Sequence, residues 1–325
     1  MRETPAEPVL RRADALAAGW TDSAIRHAVD SGRWERLRPG IYAPHQDPPS
    51  DARAAERADH LQRATAAVLA CPRGALSHHT AAVAHGLPLL GSLPRQPCLT
   101  VPSGTALRHV VDVHLHRATL PLRHIVDIDG RRVISVARTV ADLARESGVA
   151  AGLVVADAAL HVGATDPAAL AAAVAECRRW PGVTRARRVL ELADVAAESP
   201  LESLSRLRMI EYGLPAPTPQ QVIRDTAGRF VGRVDFYWDE YGVVGEADGL
   251  AKYESPASRI GEKKRELQLE SCGLIMVRWG WDDIWRFGPV ADRLRSRFRL
   301  GLRRGDSRGW LALDPTDFAS EFDAI

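Results

Sequence analysis

The sequence predicts a multidomain chain of mixed α+β and α/β character, and three observations carry that expectation. At 325 residues the chain is too long for one compact core. Residues 1–46 read as helix, helix, strand, strand. Residues 198–300 read as helix, three strands, helix, strand, helix, with an alanine-rich and largely helical stretch between the two. The expected divisions are therefore 1–46, a mixed α/β region at 52–195, an α/β domain at 198–300 and a tail at 301–325.

Composition narrows the class. A hydrophobic fraction of 46% and a charged fraction of 26% are ordinary for a globular protein. Met1-Arg2-Glu3-Thr4-Pro5 leads into charged sequence without an apolar segment, and the apolar stretch at 149–174 is broken by Asp157, His161 and Asp166-Pro167. No signal peptide or membrane span is expected, and the expected compartment is the cytoplasm. Cys71, Cys98, Cys177 and Cys272 are far apart and contain no Cys-x-x-Cys pair, which argues against a zinc ribbon or a disulfide scaffold. The net charge is +2, but arginines cluster at 178–188, 259–265 and 293–299. Such clusters can neutralise phosphates, and they serve equally well as solvated helix faces.

The first segment can be read residue by residue. Residues 11–18 have a helical pattern ended by Gly19, and Thr21 is a good N-cap for a helix over 22–30. Ser31-Gly32 stops that helix, and 34–38 with 40–42 forms a strand, a turn and a second strand. This is the order of a winged helix-turn-helix. Its second helix, with Arg26, would enter the DNA major groove, and Arg33, Arg36 and Arg38 would meet phosphate. The same order also suits a small helical adaptor packed on its neighbour.

After the linker Asp47-Pro48-Pro49-Ser50, helices are expected over 52–70 and from Ser77 to His85. Residues 99–102, 110–116 and 131–135 are strand-like, with a turn at Asp129-Gly130. From 139 to about 194 the pattern is helical, with breaks at Thr165-Asp166-Pro167 and Pro181-Gly182. Seven of the 11 histidines fall between His78 and His124. His114 and His116 share one strand face, and His78, His79 and His85 lie near one helix. No carboxylate or cysteine stands in ligand spacing, so these histidines are expected to be structural.

The chemistry gathers after Ser199. Ser199-Pro200-Leu201-Glu202 reads as a capping box with proline at the first helical position. Residues 221–225 form a strand, and residues 229–238 and 243–248 flank the turn-like Asp239-Glu240-Tyr241-Gly242. With Trp238 opposite Val243, Asp235 falls across from Glu246 and Arg233 across from Asp248. Alternation puts Val234, Phe236, Trp238, Val243, Gly245 and Ala247 on a core face, and the three acids with Arg233 on the other. Opposed like charges destabilise a sheet unless they are neutralised, and Mg2+ is held by one or two carboxylates plus waters and phosphates. Asp235 and Glu246 are thus candidate metal ligands or exposed hairpin acids, and Arg233 is expected to pair with Asp248.

Val234-Asp235-Phe236, Val244-Gly245-Glu246-Ala247-Asp248-Gly249, Lys252-Tyr253, then Arg265, Leu269, Gly273 and Val277-Arg278-Trp279 resemble the endonuclease-like domain related to very-short-patch repair (Vsr) nucleases. That family belongs to the restriction-endonuclease-like PD-(D/E)XK superfamily, and the resemblance covers about residues 198–300. Residues 1–45 and the alanine-rich region after them resemble the N-terminal domain of AbiEi-type antitoxins of type IV toxin–antitoxin systems. The first resemblance implies an αβββαβ nuclease domain in which Asp235 and Glu246 hold Mg2+ or Mn2+ and a metal-activated water attacks phosphorus. It implies Asp248, Lys252 and Glu202 as further catalytic residues. Asp248 stands where the superfamily has lysine, and Lys252 could reach the site from the following loop. Glu202 corresponds to the family's helix glutamate or serves only its capping box, and Gln221 is a candidate substrate or metal-shell residue. Arg259 and Lys263 join Arg26, Arg33, Arg36 and Arg38 as candidate nucleic-acid contacts. The second resemblance implies a cognate toxin protein as partner.

Two functions follow as expectations. One is a Mg2+-dependent DNA endonuclease placed on DNA by the winged helix. The other is a non-enzymatic, antitoxin-like repressor that binds its own promoter.

Overall fold

The computed structural model describes residues 9–105, 112–249, 256–304 and 310–312. The chain forms two compact units, Met1–Glu191 and Leu192–Ile325.

The first unit begins with β1 (Leu10–Arg11), α1 (Arg12–Ala17), α2 (Asp22–Asp30), β2 (Trp34–Arg38) and β3 (Ile41–Pro44). Thr21 caps α2 by accepting the Ala24 N–H at 3.2 Å, and Arg12 joins α1 to α2 through Asp22. Strand β1, absent from the sequence reading, pairs antiparallel with β3 and gives the strand order β1-β3-β2. Leu10, Ala15, Ile25, Ala28 and Trp34 close the small core.

Helix α3 (Ala52–Ala70) carries much of the rest of this unit. Asp51 caps it, and its alanines allow close approach on two sides. Ala66 packs with Ile41 and Ala43, whereas Ala64 and Ala67 pack with Leu76 and Leu99 of a second sheet. That sheet consists of β4 (Ala75–Leu76), β5 (Cys98–Pro102), β6 (His114–Ala118), β7 (Ile125–Ile128) and β8 (Arg131–Ile134), in the order β6-β5-β4-β8-β7. Helix α4 (His78–Ala84) follows β4. The β7–β8 turn is Asp129-Gly130, with φ of 50° and 73°, as a two-residue hairpin of this hand requires. Four helices complete the unit: α5 (Val136–Ser147), α6 (Val149–His161), α7 (Pro167–Glu176) and α8 (Val183–Leu192).

The second unit runs α9 (Pro200–Glu211), β9 (Thr218–Asp225), β10 (Phe230–Trp238), β11 (Val243–Ala247), α10 (Pro256–Ser271), β12 (Ile275–Trp279), α11 (Trp281–Ile284), α12 (Gly288–Arg304) and β13 (Trp310–Ala312). Its mixed sheet has the order β12-β11-β10-β9-β13, with β11 parallel to β12 and the other pairs antiparallel. The expectation of a single core face is corrected. Phe236, Trp238, Trp279, Phe287 and Phe298 pack on one side. Tyr237, Val244, Leu269 and Leu274 fill the other. The parallel β11–β12 pair explains this, because its connection must cross a face of the sheet and brings α10 over the acidic residues.

Candidate functional site

The hairpin that presents the carboxylates has the expected register. Phe236, Tyr237 and Trp238 pair with Gly245, Val244 and Val243. Gly242 closes the turn in the left-handed region at φ 57°, and Tyr237 ties the turn down by donating to Asp239 at 2.7 Å. One step further along, the Ala247 N–H donates to Asp235 Oδ2 at 2.8 Å, which sets that carboxylate beside Glu246.

Burial governs the charges there. Glu246 is 5% exposed. Arg265 of α10 donates to its Oε2 at 2.7 Å, and its Oε1 is buried without a hydrogen-bond partner among the described residues. Burial pushes the Asp235 carboxyl up to about 7 against the Ala247 N–H, with the charges of Glu246, Glu202 and Asp248 adding to the rise. Burial raises Glu246 as well, opposed by Arg265. Sequence reasoning did not give Arg265 this part, because only the fold brings α10 across the strands.

Other predicted residues divide. Glu202 is buried and tightly held: Ser199 Oγ donates to it at 2.6 Å, Gln220 Nε2 at 2.8 Å and the Glu198 N–H at 3.1 Å. Its capping role is thus present, and its charge acts on Asp235 as well. Gln221 is buried and donates to the Val222 carbonyl at 3.0 Å, so its neighbour Gln220 is the glutamine that reaches Glu202.

The expected Arg233–Asp248 pair is corrected. Arg233 forms a two-pronged pair with Glu198 at 2.7 and 2.8 Å, and Asp248 lies 3.8 Å from Arg278. The physical reason is that β11 is paired along its whole length with β12 and the Asp248 N–H continues that line to the Trp279 carbonyl, so Asp248 follows β12 away from Arg233. Lys252 and the side chain of Arg259 lie outside the described residues, and Lys263 is exposed and paired with Glu266 at 3.1 Å.

At the other end of the chain, Arg26 and His27 are exposed on α2 while Ile25 and Ala28 face the core. Arg33 and Arg36 are exposed on and beside β2. Arg38 is half-buried and donates to the Asp112 carbonyl at 3.1 Å, and burial holds its guanidinium below the ordinary arginine value.

The histidines of the first unit are largely structural. His60 meets Thr80, His85 meets the Ile134 carbonyl and His124 meets Glu176, at 2.9, 2.7 and 2.8 Å. His78 and His116 differ, because Glu146 of α5 reaches both. The sequence reading missed this carboxylate, which lies thirty residues beyond His116 on another element.

Fold and site define a two-unit α/β protein with an arginine-bearing helix and hairpin at one end and, in its second unit, a half-buried Asp235 beside a buried Glu246. Residues 7–45 match the family described as "Transcriptional regulator, AbiEi antitoxin", and residues 66–192 match "AbiEi antitoxin C-terminal domain". The chain thus carries AbiEi antitoxin N-terminal and C-terminal domains in that order, and the carboxylate residues lie beyond both matches. Over 137 residues it is 36% identical to two curated proteins of Mycobacterium tuberculosis, "Uncharacterized protein MT2308" (strain CDC 1551 / Oshkosh) and "Uncharacterized protein Rv2248" (strain ATCC 25618 / H37Rv). The match covers 42% of this chain and 49% of each relative, so the chain spans about half the length of the curated relatives it matches. The crystal structure of the RV2827C protein from Mycobacterium tuberculosis is similar at 16% identity with a TM-score of 0.36, covering 57% of this chain and 72% of that one. Among the described residues no helix is long and apolar enough to cross a membrane.

Proposed function

We infer that this chain is a DNA-binding regulator of the antitoxin type, with residues 9–46 acting as a winged helix-turn-helix. The match of residues 7–45 to a transcriptional-regulator family carries the reading. The placement of Arg26 on the outer face of α2, with Arg33 and Arg36 exposed at the hairpin, supports it. Arg38, engaged with Asp112, contributes packing. The two AbiEi matches also support a cognate toxin protein as partner. A gel shift with the DNA upstream of the chain's own gene tests the regulator. The Arg33→Ala/Arg36→Ala double variant is expected to bind at least about tenfold more weakly, with a salt slope reduced by about two for two lost phosphate contacts. Equal affinity and slope would sink the reading.

A second reading, a metal-dependent endonuclease domain of the restriction-endonuclease type at 198–300, is favoured by Glu246 Oε1. A buried carboxylate oxygen without a partner among the described residues, beside an Asp235 that resists ionisation, suits a cation. Asp235 and Glu246 would hold Mg2+ or Mn2+, which when bound supplies charge neutralisation and an acidified water. Asp248, Glu202 and Gln220 would set the field around them, while Arg265 holds Glu246 in place. Plasmid incubated with Mg2+ or Mn2+ beside an Asp235→Ala control is the test. Absence of metal-dependent cutting that this variant removes would leave the regulator alone.

A further inference from the structure

Three side chains from three elements of the first unit meet in one small volume: His78 at the start of α4, His116 on β6 and Glu146 near the end of α5. Their ligating atoms all lie within 4.8 Å of one another. Glu146 Oε1 is 3.2 Å from His78 Nε2, and Glu146 Oε2 is 3.3 Å from His116 Nδ1. The two imidazoles stack with centroids 3.6 Å apart and planes 18° apart.

An ion pair leaves three features over. His78 is 4% exposed, and its Nε2, although close to the carboxylate, has no hydrogen-bond partner among the described residues. Its backbone sits at φ 51°, a left-handed conformation that is strained in a residue other than glycine and collects at functional sites. Thr100 Oγ1, in the wall of the adjoining cavity, is likewise buried without a hydrogen-bond partner. His78 Nδ1 meets Ser77 Oγ at 3.0 Å, and a proton on Nδ1 donated to that hydroxyl leaves the Nε2 lone pair aimed at the cluster.

We propose that His78, His116 and Glu146 form a three-ligand site for a divalent transition metal, with zinc as its occupant. Two imidazoles and one carboxylate are donors that zinc takes, and three protein ligands leave the fourth tetrahedral position open. Imidazole donors disfavour the oxygen-seeking Mg2+ and Ca2+. The three residues line a cavity of about 740 Å3 whose wall also includes Arg117, Arg185 and Trp180, which suits an anionic oxygen on the metal. Arg145 donates to Glu146 Oε1 at 3.2 Å, the oxygen that also faces His78, and helps to orient the carboxylate.

The test uses the untagged chain, stripped with EDTA, then titrated with Zn2+ by calorimetry and with Co2+ by visible absorption. One equivalent of zinc is expected, with the intense d–d bands of four-coordinate Co2+. His116→Ala and Glu146→Gln should weaken zinc binding at least about a hundredfold, since outer-shell losses alone cost 10–100-fold. Asp235→Ala should keep the equivalent, which separates this site from the carboxylates of the second unit. Should His116→Ala fail to fold, the near-isosteric Glu146→Gln and His78→Gln decide. No zinc bound by the parent chain at micromolar concentration, or binding as tight as the parent's in these variants, overturns the proposal.

Discussion

Asp235 works against folding in the metal-free chain. Folded, its carboxyl keeps its proton up to about 7, whereas its ordinary value is 3.8. The unfolded chain therefore releases that proton first as pH rises, and the stability this group contributes is present below about 4 and lost as pH climbs to 7. Asparagine has the same shape, carries no charge and can still accept the Ala247 N–H. Asp235→Asn is expected to raise the unfolding midpoint at pH 8 in EDTA by roughly 3 °C or more, and to flatten its fall between pH 5 and 8. A lower midpoint would mean that the ionised carboxylate is a structural asset rather than a strained one. The hairpin register behind this argument, with Phe236 opposite Gly245, was legible in the sequence, because turn length and alternation set it. The clamp by Arg265 was not, since nothing local to α10 reveals which strands it crosses. The His78–His116–Glu146 cluster was hidden for the same reason, as its members come from three elements that only the packed fold unites.

Elements with local signals were readable, and those defined by long-range pairing were less so. Thr21 and Ser199 mark the starts of α2 and α9 because an N-cap needs only its own first turn. Strand β1 has two residues and exists through its pairing with β3, so its sequence carries no period to read. Strand β11 shows both sides of this contrast. Its register follows from the turn, but its tight contact with β12 shows only in the fold. A Cβ on Gly245 would stand 2.5 Å from Trp279 Cη2 and 3.1 Å from Trp238 Cζ3. Trp279 cannot swing clear, because its Nε1 donates to the buried Ser205 hydroxyl at 2.7 Å. Gly245→Ala is therefore expected to destabilise by about 1–3 kcal/mol, the usual penalty of an overfilled core. Urea unfolding followed by tryptophan fluorescence measures it, and an unchanged midpoint would show that the sheet yields where the packing says it cannot.

At the scale of the whole molecule, each of the two units closes its own core. In the first, α3 lies between two sheets, and α5 meets α6 so closely that a Cβ on Gly152 would come within 2.6 Å of the Ala144 backbone. In the second, the aromatic group around Trp279 and the aliphatic group around Leu269 sandwich one sheet. Cooperativity follows contiguous cores, so the chain should melt in two calorimetric transitions rather than one. Gly152→Ala should lower only the transition of the first unit, and Gly245→Ala only that of the second. Zinc is then expected to raise the first transition alone, because a ligand stabilises the unit that binds it by mass action. Mg2+, on the endonuclease reading, should raise the second, with that gain absent in Asp235→Ala. One transition moved equally by both glycine variants would show that the units fold as one, and zinc acting on the second transition would place its site outside the histidine cluster.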